Sequence, residues 1–206
     1  MKQYYEYNKI EVGIDEAGRG CLLGPVCIGA VILNDITDNP PPYPIKDSKK
    51  CSPKIRKLLR EYIEENSIVW NVQFISEGDI DKLNILQATM KGMHKCLDDI
   101  TSVLNIDRIL VDGNTFPCYT TKYTSKVIPH LCIPKGDNKY LNIAAASILA
   151  KEHRDEYILK LCEENLILDN YDIRNNKGYG TKKHLDAIKK YGITKWHRKS
   201  FGICKK

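Results

Sequence analysis

The hydrophobic pattern in the first two thirds of the chain predicts short strands, most of which stop at an acidic or glycine-containing segment. The near-continuous apolar run from Pro25 to Leu33 is typical of a strand in a buried sheet. The predicted strands cover residues 11–14, 25–33, 68–75, 108–111 and part of 126–133. Several of these strands therefore deliver a polar residue at their carboxyl ends.

Helical spacing of apolar residues appears between and after these strands. Ser52 followed by Pro53 predicts a helix start, because serine caps the first amides and proline suits the first turn. Residues 77–104 predict one or two helices, and the alanine-rich segment 141–166 predicts a long one. Thr181 predicts the cap of a further helix that stops at Gly192. Strands that are close together early and alternate with helices later predict an α/β fold with a mixed central sheet flanked by helices.

Composition adds a modest bias toward an anionic partner. The 206 residues are 42% hydrophobic and 28% charged with a net charge of +6, which suits one soluble domain. That charge fits a nucleic acid, although many basic proteins bind none. The 8 cysteines form no C-x-x-C pair and are interpreted as reduced, mostly buried residues. Without a signal peptide or an apolar run of ~18 residues, a soluble cytoplasmic protein is expected, with no membrane partner.

Acidic residues at strand ends are the candidate metal-binding and catalytic groups. The set is Asp15, Glu16, Asp112 and Asp137, each predicted at the carboxyl end of a strand or in the loop after it. Ligand groups gather at such ends in α/β sheets. Packed carboxylates repel one another, and divalent cations with a preference for oxygen, Mg²⁺ or Mn²⁺, relieve that repulsion. Two such ions ~4 Å apart could activate a water and stabilise a leaving oxygen.

Each acid also has a simpler interpretation. Asp112 before Gly113 is typical of a turn, Asp137 could be a turn or helix cap, and Asp15 with Glu16 could be surface charge. Adjacent strand residues point to opposite faces, so Asp15 and Glu16 share a site only if the backbone bends, which the glycines that follow would allow. The combination, rather than any single acid, favours a metal site.

With these residues assembled, the chain resembles ribonuclease HII, the type 2 ribonuclease H, from about Val12 to Phe201. Individually the matching segments are weak, but all of them in order are highly specific. They are residues 13–20 with 24–26, 47–50, 84–90, 110–113, 135–137, 143–151 with 154–155, 176–181 and 197–201. The segment 176–181 resembles the bacterial, single-subunit form.

The resemblance implies a ribonuclease H-like fold in a single catalytic domain over residues 1–206, with a C-terminal helical portion from about 165 that contributes to substrate binding. The implied catalytic residues and metal ligands are Asp15, Glu16, Asp112 and Asp137. Asp15 is expected between two Mg²⁺ or Mn²⁺ ions, and the division of the other three acids between the ions stays open.

Recognition of the ribose is implied for two further elements. Gly18, Arg19 and Gly20 are expected to read the 2′-hydroxyl, largely through backbone groups, and Tyr179 to pack on the sugar next to the RNA–DNA junction. The 2′-hydroxyl is the group that distinguishes RNA from DNA, so a dedicated reader is chemically reasonable. A loop tyrosine that shields the core is the simpler interpretation of Tyr179.

Basic and hydroxyl side chains complete the candidate site. Lys49, Lys151 and Arg198 are candidate phosphate contacts, with solvated surface charge as the alternative. Ser147 lies one helical turn before Lys151 and is expected to face the duplex with it. His184 and His197 are interpreted as structural or phosphate-contacting rather than as general bases, because metal-bound water needs no histidine. Asp155 is interpreted as an ion-pair or capping acid.

The expected activity is hydrolysis of the RNA strand of RNA·DNA hybrids and incision 5′ of single ribonucleotides in duplex DNA, leaving 3′-hydroxyl and 5′-phosphate ends. Ribonucleotide excision repair and removal of RNA primers during DNA replication would be its roles. A monomer is expected, and no sliding-clamp motif is visible after Phe201. The alternatives are a resolvase or integrase with the same fold and metals, and a non-catalytic nucleic-acid-binding subunit.

Overall fold

The computed structural model describes residues 1–205 and is organised around a mixed five-stranded sheet. Its strands are β1 (Glu11–Ala17), β2 (Val26–Leu33), β3 (Ser67–Ile75), β4 (Arg108–Asp112) and β7 (His130–Ile133), in the spatial order β3-β2-β1-β4-β7. Strand β2 is antiparallel to β1 and β3, whereas β4 is parallel to β1 and β7. The predicted mixed central sheet is confirmed.

Helices cover both faces of this sheet. They are α1 (Pro53–Asn66), α2 (Glu77–Leu83), α3 (Ile85–Thr101), α4 (Leu141–Glu164), α5 (Ile173–Asn176) and α6 (Lys182–Tyr191). Helix α3 packs on one face over the apolar side chains of β1, β2 and β4, and α1 and α4 pack on the other. None of the helices in residues 1–205 is long and apolar enough to cross a membrane.

The predicted helix starts are confirmed by their caps. The Ser52 hydroxyl accepts a hydrogen bond from the amide of Ile55, and the Thr181 hydroxyl accepts one from the amide of His184. Residues 77–104 form two helices because Asn84 between them has a φ of 69°, which a continuous helix does not allow.

The segment predicted to hold one short strand after residue 126 holds two. Pro129 separates them, since proline has no amide proton to donate to a ladder. Strand β6 (Val127–Ile128) pairs with β5 (Tyr119–Thr120) in a separate hairpin, and β7 joins the main sheet. The cysteines are all free, and six of the eight are buried, as predicted.

Residues that follow α4 form a smaller helical layer with its own apolar cluster. The turn Leu166–Tyr171, α5, α6 and the turn Gly202–Cys204 belong to it. Leu23 and Ile158 also contribute to this cluster, so it is continuous with the chain that follows β1 and with α4.

Close backbone contact fixes α4 against the sheet. A Cβ atom at Gly13 would lie 2.2 Å from the carbonyl carbon of Asn142, and one at Gly29 would lie 2.4 Å from the carbonyl oxygen of Ala146. Only glycine permits such an approach. The small side chains Ala144 and Ala145 continue the contact, and the helix thereby places its polar residues beside the ends of β1 and β4.

Substitution of Gly29 by alanine is expected to destabilise the fold, because the new methyl group meets backbone atoms of α4 rather than a flexible side chain. Overpacking of this kind costs about 1–3 kcal/mol. Urea unfolding measures the change. Gly78→Ala is the matched control, since its Cβ would meet only the Ser76 hydroxyl at 3.8 Å. Equal stability of the two variants would contradict the close packing of α4.

Candidate active site

Three of the predicted acids meet where strands β1 and β4 diverge. The pairing of these parallel strands stops at Ile14 and Val111, one residue before Asp15 and Asp112. Asp15, Glu16 and Asp112 line a single cavity of 290 Å³. Strand β1 stays paired with β2 through both acids to Ala17, so the bend expected at the acids is not what brings them together.

The fourth acid lies on the turn Gly136–Asn138, immediately after β7 and beside Asp112. The amide of Gly136 donates a hydrogen bond of 2.6 Å to Asp112 Oδ1, which ties this turn to the end of β4. Asp137 is 7% exposed and lies outside the lining of the cavity. Burial raises its pKa, and the negative charge of Asp112 adds to that effect.

Burial, with a contribution from mutual repulsion, raises the pKa values of Asp15 and Glu16. Burial raises the pKa of Asp15 well above its ordinary value, and the charges of Glu16 and Asp112 raise it further. Burial also raises the pKa of Glu16, while the neighbouring guanidinium of Arg19, 3.2 Å away, lowers it. A cluster of ionised carboxylates is therefore costly without a compensating cation.

The donor set fits a hard divalent cation by its chemistry, because all four groups offer carboxylate oxygens. As placed, no three acidic, histidine or cysteine side chains of the described chain form a group that could hold a metal ion. Each acid instead engages a protein donor: Asp15 accepts from the amide of Glu16, Glu16 pairs with Arg19, Asp112 accepts from the amide of Gly136, and Asp137 accepts from Asn138.

The turn Gly18–Gly20 directly follows the acids and lines the same cavity. Gly18 has a φ of 90°, which favours glycine, and a Cβ at Gly20 would meet nothing within 4 Å. The turn thus leaves its backbone open at Gly20, whereas Gly18 packs on Arg154. The side chain of Arg19 extends outward, with 46% of it exposed.

Arg198 does not occupy the position predicted for a phosphate contact. Its side chain is fully buried, and its guanidinium donates to the carbonyl oxygens of Gly18, Arg19 and Gly24 at 2.7 to 2.9 Å. Burial lowers its pKa to about 10, so it stays charged at neutral pH. Its role here is to hold the turn from the side opposite the cavity.

Tyr179 faces the cavity from the C-terminal layer. Its side chain is partly exposed, and its ring centre lies 5.8 Å from Lys151 Nζ and 5.9 Å from the guanidinium carbon of Arg154. Lys151 forms a 2.7 Å ion pair with Asp155, as the ion-pair interpretation of that acid predicted. Tyr179 and Lys151 thus line the same cavity as the carboxylates.

The lysine-containing turn Ser48–Lys50 closes another side of the cavity. Lys49 and Ser147 both line it, and the Ser147 hydroxyl lies 2.9 Å from that of Ser48. Arg56, which sequence reasoning missed, donates to the carbonyl oxygens of Ser48 and Cys51 and forms an ion pair with Glu152 of α4. The one available signal was an arginine on the helix immediately after the lysine turn.

His184 and His197 have a structural role. Both are fully buried, and their Nε2 atoms lie 3.0 Å apart, which requires one ring to donate and the other to accept. Burial lowers the pKa of His197 to about 4, and the neighbouring His184 contributes. Neither side chain lines the carboxylate cavity.

A pH dependence of stability follows from this pair. Since the folded-state pKa of His197 lies below its unfolded value near 6.5, folding favours the neutral ring. Stability contributed by His197 is thus complete above about pH 6.5 and is lost as the pH falls toward 4, by about 3 kcal/mol in total.

Urea unfolding between pH 7.5 and 4.5 measures this loss of stability. Acids with raised pKa values work in the opposite direction, so the informative quantity is the difference between wild type and His197→Gln. The wild-type slope in His197→Gln would contradict the assignment.

A mixed sheet in this strand order, with acidic residues collected at its carboxyl ends, defines a ribonuclease H-like fold. A solved structure of an Archaeoglobus fulgidus ribonuclease HII in complex with PCNA matches with a TM-score of 0.71 at 24% identity, over 94% of this chain and 95% of that one. A Bst ribonuclease HIII solved with Mn²⁺ matches with a TM-score of 0.68 at 18% identity, over 95% of this chain and 68% of that one.

The sequence comparisons narrow the class to one family. The family model described as Ribonuclease HII matches residues 12–204. A Ribonuclease HII from Christiangramia forsetii is 46% identical over 203 residues, covering 98% of this chain and 96% of the relative. The chain belongs to the ribonuclease HII family and is an endoribonuclease of the ribonuclease H type. The resemblance stated from the motifs is confirmed, in preference to a resolvase or integrase.

Proposed function

We propose that this chain is a metal-dependent endoribonuclease that hydrolyses the RNA strand of RNA·DNA hybrids and incises 5′ of single ribonucleotides embedded in duplex DNA. The products carry 3′-hydroxyl and 5′-phosphate ends. Its cellular roles are ribonucleotide excision repair and removal of RNA primers. It acts as a cytoplasmic monomer.

The observation that supports this function best is the shared cavity. Acids from β1 and β4 line it together with the bare backbone of Gly18–Gly20 and the ring of Tyr179. A hydrolytic centre and groups able to inspect a sugar thus lie within the reach of one nucleotide. A nuclease without sugar selectivity would not need the second set of groups.

Asp15, Glu16, Asp112 and Asp137 would hold Mg²⁺ or Mn²⁺, and the ribonuclease HIII neighbour was solved with Mn²⁺. When bound, such ions supply activation of a water and stabilisation of the leaving oxygen. The cationic side chains Lys49 and Lys151 line the same cavity and would hold the phosphate backbone near the acids. Ser147 lines the same cavity as Asp15, where its hydroxyl, 2.9 Å from that of Ser48, would face the substrate.

Selection of the ribose rests on the turn and the tyrosine. The amides of the Gly18–Gly20 turn can donate to a 2′-hydroxyl oxygen, since a Cβ at Gly20 would meet nothing within 4 Å and the amides of Arg19 and Gly20 donate to no other group within residues 1–205. The partly exposed ring of Tyr179 offers a flat surface on which the neighbouring deoxyribose can pack. A 2′-hydroxyl on that second sugar would clash with the ring, so the junction is selected.

An end-labelled RNA·DNA hybrid tests the chemistry. Purified protein should cut the RNA strand with Mg²⁺ or Mn²⁺ and not in EDTA, and a DNA polymerase should extend the 3′ ends of the products. Binding of the hybrid without cleavage in either metal would favour a non-catalytic subunit. Products ending in a 2′,3′-cyclic phosphate would contradict hydrolysis by an activated water.

A further inference from the structure

Two arginines are buried beside the Gly18–Gly20 turn without a carboxylate partner. Arg154 of α4 and Arg198 are both fully buried, yet no acid of the described chain lies within ion-pair distance of either guanidinium. A buried charge is costly unless hydrogen bonds compensate it. Here main-chain carbonyl oxygens accept these hydrogen bonds, so both arginines fix the positions of backbone groups.

Arg198 determines the direction of the peptide groups in the turn. It donates to Gly18 O at 2.7 Å and to Arg19 O at 2.8 Å. In a planar trans peptide the N–H and the C=O point in opposite directions. Because Arg198 holds these two carbonyl oxygens on its own side of the turn, the amides of Arg19 and Gly20 point to the other side. Neither amide donates to another backbone or side-chain group within residues 1–205. They remain available to a ligand in the cavity.

Arg154 links the same turn to the loop that carries Tyr179. Its guanidinium donates to Pro25 O and Leu23 O, just beyond the turn, and to Lys177 O, two residues before the tyrosine. A Cβ at Gly18 would lie 2.0 Å from Arg154 Nε, so the turn rests directly on this side chain. The amide of Leu22 also donates to Gly178 O at 2.8 Å.

We propose that Arg154 and Arg198 are positioning residues for ribose recognition: Arg198 aims the Arg19 and Gly20 amides at the 2′-hydroxyl, and Arg154 sets the distance between that turn and Tyr179. The proposal rests on the proposed function of this site. Neither arginine reaches the substrate, because both are fully buried. Lysine would keep the charge but cannot reproduce three hydrogen bonds in one plane.

The test compares Arg198→Lys and Arg154→Lys with wild type and with Arg174→Lys. Arg174 is a suitable control because it lies in the C-terminal layer, half-exposed and paired with Asp169. Rates are measured on a duplex with one ribonucleotide, and affinities for that duplex and for an all-DNA duplex are measured in Ca²⁺, which binds carboxylates with a looser geometry than Mg²⁺. We expect kcat/KM to fall by about 10²-fold, as for a displaced catalytic geometry.

The affinities separate positioning from a general structural role. In both lysine variants the ratio of the affinity for the ribonucleotide duplex to the affinity for the all-DNA duplex should fall toward one. The affinity for the all-DNA duplex should stay at the wild-type level. An unchanged ratio, or an equal fall in both affinities, would overturn the proposal. A wild-type protein that incises no substrate would instead contradict the proposed function itself.

Hydrogen exchange on the wild-type protein covers the case in which a lysine variant does not fold. The amides of Arg19 and Gly20 should exchange freely without nucleic acid and become protected by the ribonucleotide duplex but not by all-DNA duplex. Protection of both amides in the free protein, or equal protection by both duplexes, would overturn the proposal.

Discussion

Replacement of Asp15 by asparagine is expected to reduce cleavage about 10³-fold, the effect of losing about 4 kcal/mol of transition-state stabilisation from a metal site. The same substitution should stabilise the metal-free protein. Asparagine keeps the acceptor for the amide of Glu16 but removes a buried charge that Glu16 and Asp112 repel. In EDTA, Tm should therefore rise by about 2–4 °C, which corresponds to about 1 kcal/mol.

The two readouts together would identify Asp15 as part of the proposed metal centre. With Mg²⁺ added, wild type should gain more stability than Asp15→Asn, because only the intact site binds the ion well. Asp186→Asn, an exposed acid on α6, is the control and should change neither activity nor the response to Mg²⁺. Wild-type cleavage by folded Asp15→Asn, or a Tm below wild type in EDTA, would contradict the assigned role.

Replacement of Tyr179 by alanine is expected to lower the rate on a single embedded ribonucleotide by about 5- to 150-fold relative to a long hybrid, since loss of aromatic stacking costs about 1–3 kcal/mol per contact. The ring is partly exposed beside Lys151, and its removal leaves the carboxylates untouched. Kinetics on the two substrates measure the ratio, with binding to all-DNA duplex followed in parallel.

Tyr179→Phe separates the ring from the hydroxyl. It should keep most of the preference for the junction, because packing against the sugar needs only the flat ring. Tyr191→Ala removes an exposed tyrosine of α6 and should leave the preference unchanged. Equal losses on all substrates in Tyr179→Ala would mean that the ring supports the loop rather than selecting the junction.

Strand ends were the most predictable part of the site. The apolar runs that end before Asp15 and Asp112 fix where those acids emerge, and the structure places both at the point where β1 and β4 separate. The hydrophobic pattern also predicts the long helix α4 to within a few residues. Periodicity carries this information because burial of apolar faces dominates the energetics of such elements.

Partners of long polar side chains were the least predictable part. Arg198 looked like a phosphate contact, since an arginine in a basic segment is usually exposed, and nothing local shows that carbonyl oxygens 174 to 180 residues away surround it. Arg56 and Arg154 acquire their roles in the same way, through contacts that exist only once α1, α4 and the turn are assembled. Asp15 and Glu16 both line the cavity, although alternation along a strand predicts that adjacent side chains point to opposite faces.

Incision of a DNA duplex carrying one ribonucleotide, beside an all-DNA duplex of the same sequence, is the most direct test of the proposal that one cavity joins metal-dependent hydrolysis to ribose recognition. With Mg²⁺ or Mn²⁺, one cut 5′ of the ribonucleotide is expected, with a 3′-hydroxyl end and no cut in all-DNA. Cleavage of both duplexes would contradict ribose recognition by the turn. Absence of cleavage by protein that binds the duplex would contradict the assignment of the four acids as a catalytic centre.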